Sequence, residues 1–275
     1  MSIITEILHG TWLLETNDPT AYKKLADAIL SGTKIPDPKP ESFQVIGKTE
    51  YASDGKAVLT DQVSVIGMIG EMTKRSGLCN YGVDHVCNEF LKADRNPEVK
   101  GHIFLADGPG GNADAMPLIL DLKTKLTKPV IALVERACSL HYWAVCELAD
   151  HIMMANNLTA EVGSVGAMIM FEKPTNEIIM VRPKQSSMKN EGFRQALEGD
   201  TSLLEAKLEP LAIAFQNGVK ANRPKVKEES LLGETYYSAE AIERGLADSI
   251  GDINKAYELV LMHAELKQFN NHNKK

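Results

Sequence analysis

The sequence has few of the features that mark disulfide-rich or metal-binding proteins. Only four of its 275 residues are cysteines, at positions Cys79, Cys87, Cys138 and Cys146. They show neither CxxC spacing nor the density of a secreted disulfide scaffold, so we expect reduced thiols in a reducing compartment. No histidine stands at a zinc-type spacing from two of them, so the sequence predicts no metal site.

Long apolar runs and excess positive charge are also missing. No stretch approaches the roughly 20 apolar residues that span a bilayer, and the N-terminus lacks the basic and apolar regions of a signal peptide. We therefore expect no membrane insertion and a cytoplasmic location. The 30 Lys and Arg residues are outnumbered by 37 Asp and Glu residues, which gives a net charge of −7. Nucleic acid is therefore not an expected partner, because phosphate binding needs concentrated positive charge.

The residues that are present favour a globular α/β protein. Hydrophobic residues make up 44% of the chain and charged residues 24%, which is typical of a domain with a substantial core. Strand-like and helix-like segments alternate, and this alternation predicts a layered α/β fold. The predicted strands are residues 56–60, 63–69, 99–106, 129–134, 150–155 and 178–181. The predicted helices of the core are residues 83–93, 113–126 and 142–149.

The two ends of the chain differ from this core. Residues 1–42 are predicted to form an N-terminal arm with a helix over 20–30 and a proline-rich linker, and 43–260 the main domain. A capping box from Ser202 to Glu205 predicts a long C-terminal helix, with an apolar stripe that faces the core or a subunit interface. That stripe comprises Leu204, Leu208, Leu211, Phe215 and Val219. Another short helix should end at Gly245, and 261–275 is predicted to be a polar tail.

Ser139 stands where an apolar strand gives way to a helix. The unpaired N–H groups and the helix dipole at such a helix start favour a developing negative charge, as a nucleophile and its oxyanion require. An ordinary helix N-cap is the simpler interpretation of a serine at this position. This segment alone favours the N-cap.

A glycine-rich loop, Asp107 to Asn112, follows the predicted strand 99–106. Its glycines, Gly108, Gly110 and Gly111, allow backbone N–H groups to point outward together. Neither GxGxxG nor GxxxxGK[ST] is present, so phosphate binding is not indicated. The loop suits either an oxyanion hole for acyl transfer or an ordinary tight turn.

Taken in order, five segments resemble motifs of the signal peptide peptidase A family of serine peptidases. They are residues 107–111 (S-P-G-G loop), 137–143 (A-x-S-x-G-Y-W), 160–166 (T-A-x-x-G-S-[IV]-G), 186–190 (S-G-x-x-K-[DN]) and 237–251 (Y-[ST]-G-x-x-A-x-x-x-G-L-[VA]-D-x-[IL]-G). Within the family the chain looks most like phage capsid assembly (prohead) proteases, because residues 7–12 and 30–32 also resemble their N-terminal arm. The resemblance implies a crotonase/ClpP-like layered fold with an N-terminal arm and C-terminal helices.

The resemblance also implies a Ser–Lys dyad. Ser139 corresponds to the nucleophile, Lys189 to the general base and Ser164 to the hydroxyl that orients the lysine. The oxyanion hole would be formed by the N–H groups of Gly110 or Gly111 and of Leu140. A lysine serves as a base only where desolvation lowers its pKa from about 10.4. Lys184 is the nearest rival to Lys189.

The function implied by this resemblance is that of a serine endopeptidase processing scaffold or capsid proteins during phage head maturation. It would need no metal or organic cofactor, form a ring-like homo-oligomer, and work in the host cytoplasm or within the prohead. Whether the lysine acts within its own subunit or across an interface is not specified by the sequence.

Several alternatives remain open at this stage. A Ser-His-Asp triad could recruit His85, His102 or His151, and Cys138 could replace Ser139 as nucleophile. An acyl-CoA-handling crotonase would use similar backbone oxyanion loops without a Ser–Lys pair. His141 stands where the family usually has Gly, which keeps a catalytically impaired capsid-associated structural or scaffold-binding protein in consideration. His141 itself is a poor base, since i+2 on a helix faces away from Ser139.

Overall fold

A mostly parallel β-sheet forms the centre of the computed structural model, which describes residues 12–14, 31, 43–76, 81–169 and 179–272. The strands are β1 (Trp12–Leu14), β2 (Gln44–Tyr51), β3 (Ala57–Ile69), β4 (Val99–Gly108), β5 (Gly110–Asn112), β6 (Val130–Cys138), β7 (His151–Met154), β8 (Glu161–Gly163), β9 (Thr235–Tyr237) and β10 (Ser249–Ile250). The main path runs β10-β7-β6-β4-β3-β2, with β8 paired to both β6 and β9. The strands β3, β4, β6, β7 and β10 are mutually parallel, whereas β2 runs antiparallel on the edge.

Helices cross over between the parallel strands and cover both faces of the sheet. They are α1 (Val83–Arg95), α2 (Met116–Lys123), α3 (Leu140–Leu148), α4 (Glu191–Leu197), α5 (Ser202–Asn222), α6 (Ser238–Glu243) and α7 (Ile253–His272). Short 3-10 turns occupy Ala113–Ala115, Lys184–Ser186 and Glu228–Leu231. Parallel strands require such crossovers, and burial on both faces explains their nearly continuous apolar sequences.

The core lies in two layers. The larger layer packs α1, α2, α3 and α5 against one face of the sheet, with Phe90, Phe104 and Tyr142 fully buried. The smaller layer packs Ala256 and Val260 of α7 on the other face, against inward-facing residues of β3, β4, β6 and β7. The described residues therefore form a layered α/β structure, as the sequence predicts.

The central elements agree with the sequence predictions apart from their ends. The strands predicted at 56–60 and 63–69 are one strand, β3, which continues through Asp61 at a φ of 49°. The stripe on α5 faces the core, with Leu204, Phe215 and Val219 buried. The helix continues through Pro210.

Two local predictions are wrong. Residues 179–181 form no strand. The N-cap of α5 is Thr201, one residue before the predicted Ser202, and it makes no capping hydrogen bond with the backbone. Thr201 Oγ1 instead bonds Glu205 Oε1 at 2.5 Å, so the predicted pairing is shifted by one residue.

The ends of the chain are described in part. Of the predicted arm, β1 and Ser31 are described, whereas the predicted helix at 20–30 lies outside the described residues. Helix α7 runs from Ile253 to His272 and so crosses the boundary predicted at 260. The short helix predicted before Gly245 is α6, and Gly245 follows it at a φ of +76°.

Candidate active site

Ser139 lies between β6 and α3 in a strained backbone conformation. Its φ of 54° and ψ of −121° are unfavourable for a residue with a Cβ, and its side chain does not cap the helix. The backbone holds this conformation through two hydrogen bonds, Ser139 N to Gly163 O at 2.9 Å and Trp143 N to Ser139 O at 3.1 Å. Strain of this kind costs about 1–3 kcal/mol and is concentrated at functional sites. The N-cap interpretation therefore does not account for Ser139.

The glycine loop lies at the carboxyl end of β4, beside the carboxyl end of β6. Open α/β sheets place ligands at such carboxyl ends. Gly110 has a φ of 118°, and a Cβ built on it would lie 3.0 Å from Cβ of Ser139. The structure therefore brings Gly110 directly against Ser139, as the predicted oxyanion hole requires. The loop ends at buried Asn112, whose side chain accepts a hydrogen bond from Asp114 N at 2.9 Å.

Leu140 is the first residue of α3 and is fully buried. Because the first N–H groups of a helix have no intrahelical acceptor, its N–H is free of the helix and points outward from the helix start. It follows Ser139 directly, so the predicted second oxyanion donor adjoins the nucleophile. The geometry is that of a helix N-terminus beside a glycine loop, which stabilises negative charge.

His141 lies beneath the glycine loop and is fully buried. Gly110 N donates a hydrogen bond to its Nδ1 at 3.1 Å, so the ring is neutral with its proton on Nε2. A Cβ on Gly108 would lie 2.5 Å from Nε2 and still closer to Cε1, which explains why glycine is required there. The ring therefore supports the loop from the protein interior.

Burial lowers the pKa of His141 to about 3, outweighing the Met68 backbone, which raises it. Among the described residues, His141 Nε2 has no hydrogen-bond partner of good geometry. The Met68 backbone nevertheless favours the protonated form of the ring. A neutral, inaccessible ring cannot serve as the base for Ser139. It also holds the Gly110 N–H, which leaves Gly111 as the loop's candidate oxyanion donor.

Ser164 adjoins the nucleophile through the backbone of β8. Cys138 pairs with Gly163, whose carbonyl accepts from Ser139 N. Ser164 itself has a φ of 54° and donates its N–H to Glu234 O at 2.7 Å. A second strained serine therefore lies beside the first.

Lys189 is exposed and lies in a turn after the 3-10 turn Lys184–Ser186. Arg182 Nη1 bonds the carbonyls of Ser187 and Lys189, each at 2.7 Å, and its Nη2 pairs with Glu191 Oε2 at 2.7 Å. These contacts fix the backbone of the segment. Among the described residues, no hydrogen bond or ion pair joins the Lys189 side chain to Ser139. The predicted dyad is thus not assembled by side-chain contact in this structure.

The histidines weighed for a triad lie elsewhere. His102 Nδ1 lies 2.7 Å from Ser64 Oγ and its Nε2 lies 3.1 Å from Asp94 Oδ1, with Ser64 and His102 fully buried. This Ser-His-Asp arrangement has no exposed hydroxyl and lies near the start of β4, whereas the glycine loop lies beyond its end. It is therefore a structural polar network. His151 contacts Ser249 and His85 stacks on Tyr81, so neither serves Ser139.

The cysteines of the described chain, Cys87, Cys138 and Cys146, are buried and form no disulfide bond with one another. Burial raises the pKa of both Cys87 and Cys146 to about 12, so these thiols stay protonated and unreactive. Cys138 is the last residue of β6 and is 1% exposed. Cys79 lies outside the described residues.

The described residues contain no cluster of three or more His, Cys, Asp or Glu side chains suited to a metal ion. In the same residues, no helix combines the length and apolarity that crossing a bilayer requires.

Two curated proteins that are similar to the chain carry the same name. The chain is similar to Protease 4. It is 26% identical to Protease 4 of Haemophilus influenzae over 195 residues, which cover 64% of the chain and 30% of that protein. It is 23% identical to Protease 4 of Salmonella typhi over 278 residues, covering 90% of the chain and 43% of that protein. The chain thus spans well under half the length of these relatives. No protein-family model matches it.

Among solved structures, the chain overlaps two forms of the 1510-N membrane-bound stomatin-specific protease. One is a serine-to-alanine mutant, with a TM-score of 0.48 and 18% identity over 72% of the chain and 84% of that structure. The other is a lysine-to-alanine mutant in complex with a substrate peptide, with a TM-score of 0.46 and 19% identity over 70% of the chain and 76% of that structure. These overlaps are partial, and support for the predicted peptidase class comes from the curated relatives.

Sequence reasoning missed two contributors to the site. His141 was identified as a departure from a motif, but its bond to Gly110 depends on the approach of β5 to α3 and has no local signal. Leu13 belongs to β1, which pairs with the glycine loop across about 100 residues of sequence. An apolar Trp-Leu-Leu run in the arm was the only available sign of a packed segment.

Proposed function

We propose that the chain is a serine endopeptidase in which Ser139 is the nucleophile. The observation that carries this proposal is the strained, buried Ser139 at a strand-to-helix junction, directly against Gly110 of a glycine loop. Such an arrangement places a nucleophile beside backbone donors that stabilise an oxyanion, a term worth about 3–4 kcal/mol per donor. The similarity to Protease 4 gives independent support.

In the proposed mechanism, Ser139 Oγ attacks a peptide carbonyl while Lys189 takes its proton. The N–H groups of Leu140 and Gly111 hold the resulting oxyanion, and Lys189 returns the proton to the leaving amine. Water then hydrolyses the acyl-enzyme. Ser164, whose backbone adjoins Ser139, would orient the lysine. For this role the exposed Lys189 must enter a desolvated site, within its own subunit or across an interface, because a lysine acts as a base only where it is desolvated.

We further propose that the substrates are scaffold or capsid proteins during phage head maturation, and that the working form is a homo-oligomer in the host cytoplasm or the prohead. Support for this finer role comes from the sequence resemblance, including the arm around residues 7–12. The alternative, a catalytically impaired structural or scaffold-binding protein of the same fold, rested on His141. Because the His141 ring is buried beneath the glycine loop, its position gives no reason to expect a blocked substrate cleft.

The deciding experiment treats the purified protein with a serine-directed fluorophosphonate and locates the label by peptide mass. We expect label on Ser139, none in Ser139→Ala, and unchanged labelling in Cys138→Ala, which is the matched control from the adjacent position. Lys189→Met should label much more slowly. Label in the Ser139→Ala variant, or dependence on Cys138, would contradict the assignment.

The biological role needs a separate experiment. Wild type and Ser139→Ala are co-expressed with candidate scaffold and capsid proteins, and fragments are followed by intact mass. Cleavage that disappears in the variant would support head maturation and give the cut site. If a labelled, folded enzyme cleaves none of these proteins, the peptidase assignment stands and the proposed substrates are wrong.

A further inference from the structure

The N-terminal strand β1 pairs with the glycine loop itself. It runs antiparallel to β5, with Trp12 opposite Asn112, Leu13 opposite Gly111 and Leu14 opposite Gly110. The loop that would receive a substrate carbonyl is therefore already paired with an extended segment of the same chain. Extended peptides commonly bind proteins by adding a strand to such an edge.

The hydrogen bonds between β5 and Met72 determine which backbone groups of β5 face Leu13. Met72 occupies one edge of β5, where its N–H donates to Gly110 O at 2.8 Å and its carbonyl accepts from Asn112 N at 2.7 Å. Successive residues of a strand direct their backbone groups to opposite edges. Gly111 therefore directs its N–H to the other edge, where Leu13 lies in register.

The carbonyl group of Leu13 also lies against the nucleophile. A Cβ built on Gly110 would overlap the Leu13 carbonyl oxygen, and it would lie 3.0 Å both from the Leu13 carbonyl carbon and from Ser139 Cβ. The Leu13 carbonyl and the Ser139 side chain therefore both lie beside Gly110. The Leu13 side chain is 1% exposed and belongs to the main core cluster.

We propose that β1 is an intramolecular occupant of the substrate groove, with the Leu13 carbonyl in the place of the scissile carbonyl. This inference rests on the proposed function and describes how that activity would be regulated. While β1 is paired, Gly111 faces Leu13 and the approach to Ser139 is filled, so the peptidase is closed to other peptides. Release of β1 opens the groove to an extended substrate with an apolar residue before the scissile bond.

The test compares rates of fluorophosphonate labelling at Ser139 in full-length variants. Leu13→Asp places a charge that cannot stay buried without a partner, so it should release β1. We expect it to label about tenfold faster than wild type, because reactivity scales with the open fraction. Leu13→Val keeps an apolar strand residue and is the matched control, with a rate close to wild type. Equal rates for wild type and Leu13→Asp would overturn the proposal.

A second measurement uses the wild type, in case Leu13→Asp does not fold. Wild type is labelled to completion, and amide hydrogen exchange is compared before and after labelling. A phosphonate on Ser139 must displace β1, so the amides of residues 12–14 should lose protection while those of β4 keep theirs. Unchanged protection of residues 12–14 would overturn the inference and leave Ser139 as nucleophile. If Ser139 is labelled in no folded variant, the nucleophile assignment fails and this inference falls with it.

Discussion

His141 illustrates how a single residue can change role when its neighbours are known. At the position where related motifs carry glycine, it accepts the Gly110 N–H and fills the space beneath the loop. The same ring restricts Gly108 to glycine. A substitution that could have blocked a cleft instead supports the loop from within, at the cost of burying an ionisable group.

That cost predicts a dependence of stability on pH. Burial lowers the folded-state pKa of His141 to about 3, whereas the unfolded residue titrates near the ordinary histidine pKa of 6.5. As pH falls through 6.5 the unfolded chain increasingly binds a proton that the folded chain does not, so stability falls as pH falls from about 6.5 towards 3. Between pH 6.5 and pH 5 the loss due to this residue is about 2 kcal/mol. Arg136, whose charge lowers the pKa of the ring further, acts in the same direction.

Urea unfolding of wild type and His141→Ala at both pH values checks this. Only the change with pH is compared, so any loss of basal stability in the variant cancels. We expect the acid-induced loss to be smaller in His141→Ala. The control is Cys146→Ala, which truncates another buried side chain of α3 that does not titrate in this range. An equal loss in wild type and His141→Ala would show that the ring is protonated in the fold.

At the scale of secondary-structure elements, α3 is held in place by α5. The Trp143 ring on α3 stacks on the Phe215 ring of α5, with centroids 4.9 Å apart and planes 8° apart. Because α3 starts directly after Ser139, this contact fixes the direction in which the helix leaves the nucleophile. The apolar stripe of α5 is therefore part of the support of the site.

Truncation of Phe215 tests that support. Phe215 is 0% exposed, so Phe215→Ala should lower the free energy of unfolding by about 3–5 kcal/mol through lost burial and a residual cavity. Ile213, two residues away on the same helix, is 48% exposed. Ile213→Ala is the matched control and should cost less than about 1 kcal/mol. Chemical denaturation measures both, and similar losses would mean that α5 does not pack as described.

The elements that the sequence predicted well are those with local causes. Buried parallel strands such as β4 and β6 have continuous apolar runs, and the stripe of α5 follows helical spacing over five residues. No strand forms at 179–181, where apolar β-branched residues predict one, because these residues lie on the surface: Ile179 is 79% exposed and Val181 is 91% exposed. Surface exposure of such residues has no local signature.

The candidate site likewise has parts with a local sequence signal and parts without one. The order of motifs was sufficient to predict Ser139, the glycine loop and the segment of Ser164, and the fold brings these three together. The bond from Gly110 to His141 and the pairing of β1 with β5 depend on contacts between distant segments, which no periodicity encodes. The backbone strain at Ser139 likewise depends on the pairing of Cys138 with Gly163.

At the scale of the whole molecule, the distribution of apolar surface is uneven. Helices cover both faces of the sheet, yet large apolar side chains are exposed around Lys189. We call this set the lysine-side patch: Ile179, Val181, Met188 and Phe193, which are 79%, 91%, 66% and 40% exposed. Clustered exposed apolar side chains mark interaction surfaces, whereas single ones are ordinary. These residues stand near Lys189 in the sequence, the residue that must become desolvated in the proposed mechanism.

We therefore predict that the chain associates with itself through the lysine-side patch and that association raises its activity. Val181→Asp should shift the protein toward smaller species in sedimentation velocity, because a charge cannot be buried in an apolar interface without a partner. Labelling of Ser139 by the fluorophosphonate should slow with it, since Lys189 would stay exposed to solvent. Leu158→Asp is the control, because Leu158 is 82% exposed on the β7–β8 loop and belongs to no such patch. If the Val181→Asp protein sediments and labels like wild type, the lysine-side patch does not contribute to activity. Lys189 would then have to be desolvated within its own subunit.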